Sequence, residues 1–415
     1  MADKVERLGL GSILAGAVRQ KFAQEPMPVF LDPRRAEQVR EFHRSWPTYK
    51  PTPLANLANL ALELGVGHVY VKDESARFGL NAFKGLGSSY AIGKFIAAEL
   101  GLPAEKLTFD CLRSKEVRQR LGKVTFATAT AGNHGRGVAW TAQQLRQQGV
   151  VYLPRGAARR RVEAVMEAGS KAVVTTLNYD DTVELVKQQA KENGWHLIQD
   201  TAWPGYEEIP RWIMQGYTTI AAEIDDQLKD QGLPEPTHLF LQAGVGSFAS
   251  AILGYFVNRN RERYPITVIM EPDRAACIFE SAKLGEKETK QATGDLGSIM
   301  AGLSCKEPSP IAWSIIRSFA DSYFICPDYV AAQGMRILAN PLGNDPPLVA
   351  GESGAVGIGL LSLLTMEPEC ARLQEKLGLD QEARVLIIST EGDTDPDNYR
   401  QIIWNGKYPL PQPVE

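Results

Sequence analysis

Apolar residues along the chain gather in short β-branched runs separated by longer stretches with helical spacing. His68-Val69-Tyr70-Val71, Val124-Thr125-Phe126-Ala127, Val150-Val151-Tyr152-Leu153, Ala172-Val173-Val174-Thr175 and His196-Leu197-Ile198 each precede helix-like or loop sequence. Leu239-Phe240-Leu241, Ile266-Thr267-Val268-Ile269-Met270 and Val385-Leu386-Ile387-Ile388 read as a second set of buried strands. This rhythm predicts an α/β fold with two largely parallel sheets flanked by helices. No repeat period and no low-complexity linker separates the halves, so the domains are expected to share one cleft.

Composition narrows the function. The chain has 415 residues, 44% hydrophobic and 23% charged, enough for a large core in two or more domains. With 45 basic and 49 acidic residues the net charge is −4, which offers no electrostatic case for nucleic acid or an anionic membrane as partner. The basic run from Arg155 to Arg161 introduces a helical pattern and reads as a solvated helix face. Met1 to Glu6 carry no apolar signal segment, no later stretch is uninterrupted over spanning length, and a cytoplasmic location is expected. Five cysteines at irregular spacings fit neither a zinc module nor a disulfide framework, so no metal is expected and free thiols are the default. The alternative is a Cys277–Cys305 bridge pinning the loop that holds Gly294, Gly297 and Gly302.

Candidate chemistry lies at strand ends, where parallel sheets bind ligands. Lys84 sits in Asn81-Ala82-Phe83-Lys84-Gly85, where the apolar wall of Phe83 favours a neutral amine able to condense with an aldehyde, Asn81 offers amide groups beside it, and neighbouring glycines admit a planar ring. Alone, such a lysine reads more readily as a solvated surface residue than as a covalent site. After strand 124–128, Thr130-Ala131-Gly132-Asn133-His134 opens a helix whose amides suit a carboxylate, with Asn133 placed for a ring oxygen. The bland reading is a tight turn. Gly244-Val245-Gly246-Ser247 makes a second elbow suited to a phosphate monoester. Gly244 to Ala249 also satisfies G-x-G-x-x-A, and with Glu271 ending the next strand this supports a rival nicotinamide-dependent oxidoreductase. That rival leaves Lys84, Asn133 and Ser389-Thr390 without roles. A hydroxyl of the last pair suits a pyridine nitrogen, while Glu352 suits either the ring or a helix cap.

Taken in order, Asn81-Ala82-Phe83-Lys84, Ala131-Gly132-Asn133-His134, Ala243-Gly244-Val245-Gly246 and Ser389-Thr390-Glu391-Gly392-Asp393 resemble the tryptophan-synthase-β-like (fold type II) pyridoxal-phosphate enzymes. Within them the chain is similar to the 2,3-diaminopropionate ammonia-lyases, through Thr201-Ala202-Trp203, Ile213-Met214-Gln215-Gly216-Tyr217, Ile299-Met300-Ala301-Gly302-Leu303 and Gly343-Asn344-Asp345-Pro346. The resemblance spans about Tyr49 to Trp404. It implies pyridoxal 5'-phosphate held covalently by Lys84 against Phe83, its phosphate cradled by Gly244 to Ser247, its ring oxygen on Asn133, and its ring nitrogen on Ser389 or Thr390. Thr130, Gly132 and His134 would then lie near the substrate carboxylate, with Ala131 also at the substrate site. Asp200 matches an acidic residue suited to a distal ammonium, with a turn-forming aspartate as its plainer reading.

The resemblance further implies β-elimination of a small amino acid to pyruvate and ammonia, and a homodimer. It also implies a large cofactor-binding domain of residues 1–88 and 205–415, and a small domain of 89–204 closing over the cleft. Ala131 departs from the family pattern, which has aspartate there to take the α-proton of the D-isomer. Alanine accepts no proton, so the L-isomer is expected, with another β-substituted alanine such as serine, or a β-replacement reaction, as alternatives.

Overall fold

The computed structural model describes residues 6–7, 14–16, 26–130, 132–285 and 288–411. Its strands in chain order are β1 (Glu6–Arg7), β2 (Leu14–Gly16), β3 (Leu54–Asn56), β4 (His68–Asp73), β5 (Thr125–Ala129), β6 (Gln148–Leu153), β7 (Lys171–Val174), β8 (His196–Leu197), β9 (His238–Gln242), β10 (Ile266–Pro272), β11 (Ser322–Cys326) and β12 (Arg384–Ser389). They form an eight-stranded sheet in the order β1-β2-β11-β10-β9-β12-β4-β3 and a four-stranded sheet in the order β7-β6-β5-β8. The four-stranded sheet is parallel throughout, as is the centre of the larger one from β11 to β4. Among the described residues, antiparallel pairs occur only toward its edges, β3 on β4 and β2 on β11 and β1.

Each expected strand is present. β9 is buried at all five positions, as strands covered by helices on both faces must be. β11, Ser322-Tyr323-Phe324-Ile325-Cys326, adds to the expected set. It too is buried throughout, and a short run without alternation resembles a core helix segment as much as a strand.

Parallel pairing brings the C-terminal ends of β4, β12, β9 and β10 to one edge, with Asp73 level with Ser389 and Gln242 level with Met270. The turn after β4 is fixed by buried ions. Arg77 reaches Glu74 at 2.8 Å and Glu223 at 2.7 Å, and Lys72 reaches Glu223 at 2.6 Å, with all four side chains at most 1% exposed. Removing one partner from such a cluster leaves a buried charge unpaired, at a cost of about 3–5 kcal/mol. The cluster ties β4 and its turn to the helix Glu208–Asp230 just upstream of Lys84.

Glu208–Asp230 packs on Gly85–Leu100 through facing glycines. A Cβ on Gly216 would lie 2.5 Å from the Leu86 carbonyl oxygen, and one on Gly87 would lie 2.6 Å from Tyr217. Among the described residues no helix is long and apolar enough to cross a membrane.

Candidate active site

Lys84 caps the N-terminus of Gly85–Leu100, and its segment is sewn to the end of β12. The Phe83 amide donates to the Thr390 carbonyl at 3.1 Å, and Ala82 bridges to Glu391. Just before it, Asn81 takes a left-handed φ of 53° and donates from its side chain to Asp393 at 3.1 Å. That bond occupies Asn81 outside the cavity instead of beside a ring. Phe83 packs between Tyr217 and Phe248, with centroids 4.8 and 4.7 Å away, and the Lys84 amine lies 5.3 Å from the Phe83 ring centre.

The structure reverses the expectation of a neutral amine. Burial favours the uncharged form, but the Asp200 carboxylate, 2.7 Å from Nζ, outweighs it and raises the lysine pKa. Burial likewise pushes Asp200 up, and the facing Lys84 ammonium, helped by His134, overrides it and holds Asp200 down at about 2. Lys84 therefore rests as an ammonium paired with Asp200, and its amine becomes available when that proton leaves.

The elbow after β5 leads into the helix Asn133–Gln144. This helix crosses directly over Lys84, and a Cβ on Gly137 would stand 3.1 Å from the Lys84 carbonyl. His134 donates from Nε2 to the Ile198 carbonyl at 2.8 Å, which leaves Nδ1 as a lone-pair acceptor 3.9 Å from Asp200, and burial lowers its pKa. Asn133 donates to Glu391 at 2.5 Å, and Glu391 in turn accepts from the Ser353 amide at 3.1 Å. Ala131 lies outside the described residues.

The elbow after β9 places Gly246 at a φ of +89°, a conformation that favours glycine, immediately before the helix Ser247–Arg259. A Cβ on Gly244 would meet Cys305 Sγ at 2.9 Å and Leu303 Cα at 3.1 Å. Ser247 donates from Oγ to the Asp200 carbonyl at 2.6 Å, joining this elbow to the acid that faces Lys84.

These parts form a cleft lined by Phe83, Lys84, Thr130, Gly132, Asn133, His134, Asp200, Gly244 to Ser247 and Thr390, among others. Of the anticipated site residues, Ser389 and Glu352 do not line it. Ser389 Oγ lies 3.4 Å from the Glu391 carbonyl, and the Glu352 carboxylate, at the start of the helix Glu352–Met366, accepts from Asn398 at 2.5 Å. Sequence reasoning gave no role to Gln242, Glu391, Tyr179 or Ser353 and read Arg161 as part of a solvated helix face, yet all five line the cavity. Gln242 and Glu391 were within reach as immediate neighbours of the elbows and Ser353 as the neighbour of Glu352, whereas Tyr179 and Arg161 arrive from other segments with no signal pointing to the cavity.

Two further expectations resolve here. The five cysteines are thiols outside any disulfide, with Cys277 Sγ 3.7 Å from the Gly244 carbonyl oxygen, and no Cys277–Cys305 bridge forms. Glu271, on which the nicotinamide reading leaned for a ribose contact, is buried with its carboxylate taken by the amides of Ile278 and Phe279 at 2.8 and 2.6 Å. It does not line the cavity.

The residues present fit pyridoxal phosphate. Amides at the start of Ser247–Arg259, approached through two glycines, suit a phosphate. The buried His134 Nδ1, Gln242 Oε1 and Ser353 Oγ, all on lining residues, have no partner among the described residues, as expected of a cavity built for a polar ligand.

Comparison with known proteins agrees. Residues 46–391 match the family described as "Pyridoxal-phosphate dependent enzyme". Over 390 residues the chain is 48% identical to the diaminopropionate ammonia-lyase of Salmonella typhimurium, covering 94% of this chain and 96% of that protein. Two solved structures of the Escherichia coli diaminopropionate ammonia lyase superpose with 46% identity, covering 98% of this chain and all of theirs. One, in complex with D-serine, has a TM-score of 0.90, and the other, in complex with an aminoacrylate-PLP azomethine reaction intermediate, 0.88. This chain belongs to the pyridoxal-phosphate-dependent enzymes of fold type II and, among them, to the diaminopropionate ammonia-lyase family.

Proposed function

We propose that the protein converts L-2,3-diaminopropionate and water to pyruvate and two molecules of ammonia. The observation that carries this reading is the Lys84–Asp200 pair, 2.7 Å apart, at the floor of a cavity with an anion-binding elbow on either side. Bound pyridoxal phosphate supplies an electron sink for charge developing at the substrate Cα. Gly244 to Ser247 would hold its phosphate, Asn133 its ring oxygen and Thr390 its ring nitrogen. Thr130, Gly132 and the helix amides after Gly132 receive the substrate carboxylate. With the cofactor and substrate bound, Lys84 as a neutral amine would stand beside Cα and remove the α-proton. Asp200, released from Lys84, pairs with the β-ammonium and orients it for departure as ammonia.

Ala131 sets the stereochemical preference. With no carboxylate at that position, Lys84 is the base on its face and the D-isomer lacks one on the other. We further propose a large cofactor-binding domain of 1–88 and 205–415 and a small one of 89–204, supported by the four-stranded sheet lying within 125–197. A cytoplasmic location is supported by five cysteines outside any disulfide. A homodimer rests on family resemblance, and analytical ultracentrifugation tests it.

Pyruvate and ammonia are to be measured with each enantiomer of diaminopropionate, with L-serine alongside. The reading predicts two ammonia per pyruvate and faster turnover of the L-isomer. Faster turnover of the D-isomer overturns the role given to Ala131, and preference for serine overturns the substrate. A new amino acid formed only when a second nucleophile is added places the protein among β-replacement enzymes.

A further inference from the structure

We propose that Gln242 is a positioning residue that fixes the direction of the Thr390 hydroxyl and so makes Thr390 a hydrogen-bond donor into the cavity. The inference deepens the site reading above and rests on pyridoxal phosphate occupying it.

Gln242 is the last residue of β9, is 1% exposed, and lines the cavity between the Lys84 and phosphate-elbow segments. Its amide nitrogen donates to two oxygens, the Ile388 carbonyl at 2.9 Å and Thr390 Oγ1 at 3.0 Å. The first bond settles which end of the carboxamide is which, because a backbone carbonyl only accepts and the group facing it must be the NH2. The second bond then follows: Thr390 Oγ1 accepts from Gln242, and its own proton is directed elsewhere. Among the described residues the hydroxyl donates to none, and Thr390 lines the cavity. The Thr390 backbone is immobilised through the Phe83 amide, one residue from Lys84. The free proton therefore points where a ligand acceptor belongs, and the group of that chemistry on the cofactor is a ring nitrogen carrying a lone pair.

Packing alone does not account for this glutamine. Its Oε1 is buried without a partner among the described residues, a loss that an apolar side chain of similar size would avoid. Ser389, the other hydroxyl at this strand end, neither lines the cavity nor receives a bond from Gln242.

A hydroxyl committed to donate holds the ring nitrogen unprotonated. A reversed hydroxyl would accept from a protonated nitrogen and deepen the electron sink, prolonging the carbanion at Cα. Gln242 thereby biases the site toward loss of the β-substituent and against return of the proton to Cα.

The test uses full-length holoprotein loaded with pyridoxal phosphate labelled with ¹⁵N in the ring. Two variants are compared with wild type: Gln242→Glu, which gives the Thr390 hydroxyl an acceptor and turns it round, and Gln242→Met, which keeps the volume and removes both donors. For wild type the ¹⁵N resonance is expected at the unprotonated position across neutral pH. In Gln242→Glu it is expected to move toward the protonated position, and the ratio of α-proton exchange to pyruvate formation should rise about tenfold, the factor carried by one neutral hydrogen bond. Gln242→Met tests the idea should the glutamate variant fail to fold. It is expected to weaken cofactor affinity about tenfold, while Thr390→Ser, which retains the hydroxyl, stays within about threefold of wild type. A Gln242→Met protein whose ¹⁵N resonance, exchange ratio and cofactor affinity all match wild type overturns the proposal. Absence of a bound ¹⁵N resonance in wild type is a different result: it overturns the cofactor reading of the cavity, on which the role of Gln242 depends.

Discussion

Replacing Glu352 by glutamine isolates one buried carboxyl whose titration is set by the site. Glu352 begins the helix Glu352–Met366, where the helix dipole favours a negative charge. Yet burial, and then the neighbouring Glu391 carboxylate, push its pKa from 4.5 up to about 7. Glu391 is the acceptor for Asn133, so the two acids link the helix start to the cavity wall. The difference between 4.5 and about 7 corresponds to about 3 kcal/mol.

Its sign follows from proton counting. Between those values the native state keeps a proton that the unfolded chain has released, so stability falls with rising pH. The contribution is complete below 4.5, declines through the interval, and is gone above about 7. The carboxamide introduced by Glu352→Gln cannot ionise, and its oxygen still accepts from Asn398. Urea unfolding of both apoproteins should give equal stabilities, to within about 0.5 kcal/mol, near pH 4, and a variant more stable by about 3 kcal/mol near pH 8, with unchanged m-values. A difference between variant and wild type that is constant across this range refutes the reasoning.

Asp200→Asn should remove the acid-side contribution of a carboxyl held at about 2, against 3.8 unfolded. That contribution, about 2 kcal/mol, is present above 3.8 and lost as pH falls toward 2, so acid unfolding monitored by circular dichroism should be less steep in the variant. The same variant should turn over L-diaminopropionate about 10²-fold more slowly. Gly216→Ala sets a methyl 2.5 Å from the Leu86 carbonyl oxygen and should destabilise by about 2 kcal/mol net of the helix propensity gained, measured by thermal unfolding. Gly244→Ala crowds Cys305 and Leu303 behind the phosphate elbow and should weaken pyridoxal phosphate binding by about tenfold or more in a fluorescence titration, with the apoprotein still folded.

Much of this architecture is legible in the sequence because parallel strands covered on both faces are apolar throughout. β4, β6, β9, β10 and β12 were recognisable as runs of Val, Ile, Leu and aromatic residues. The residues that follow such strands are where ligands bind, which is why Lys84, Asn133, Gly244 to Ser247 and Thr390 could be singled out. What local sequence does not carry is direction. Asn81 turns to Asp393, Ser389 lies outside the cavity lining, and Glu271 is consumed by the start of the helix Cys277–Leu284. The charge state of Lys84 escaped for a similar reason. Phe83 is its neighbour in sequence, but Asp200, 116 positions away, decides its proton. Gln242 acquires meaning only when β9 and β12 pair and bring its amide to Thr390.

The central claim is that Lys84 is the residue bonded to pyridoxal phosphate. Purified holoprotein treated with borohydride, digested and analysed by mass spectrometry tests it directly. The account predicts a phosphopyridoxyl adduct on the peptide containing Lys84, and none anywhere in Lys84→Ala prepared in the same way. An adduct on a different lysine, or protein that remains colourless and unmodified after incubation with the cofactor, would contradict it.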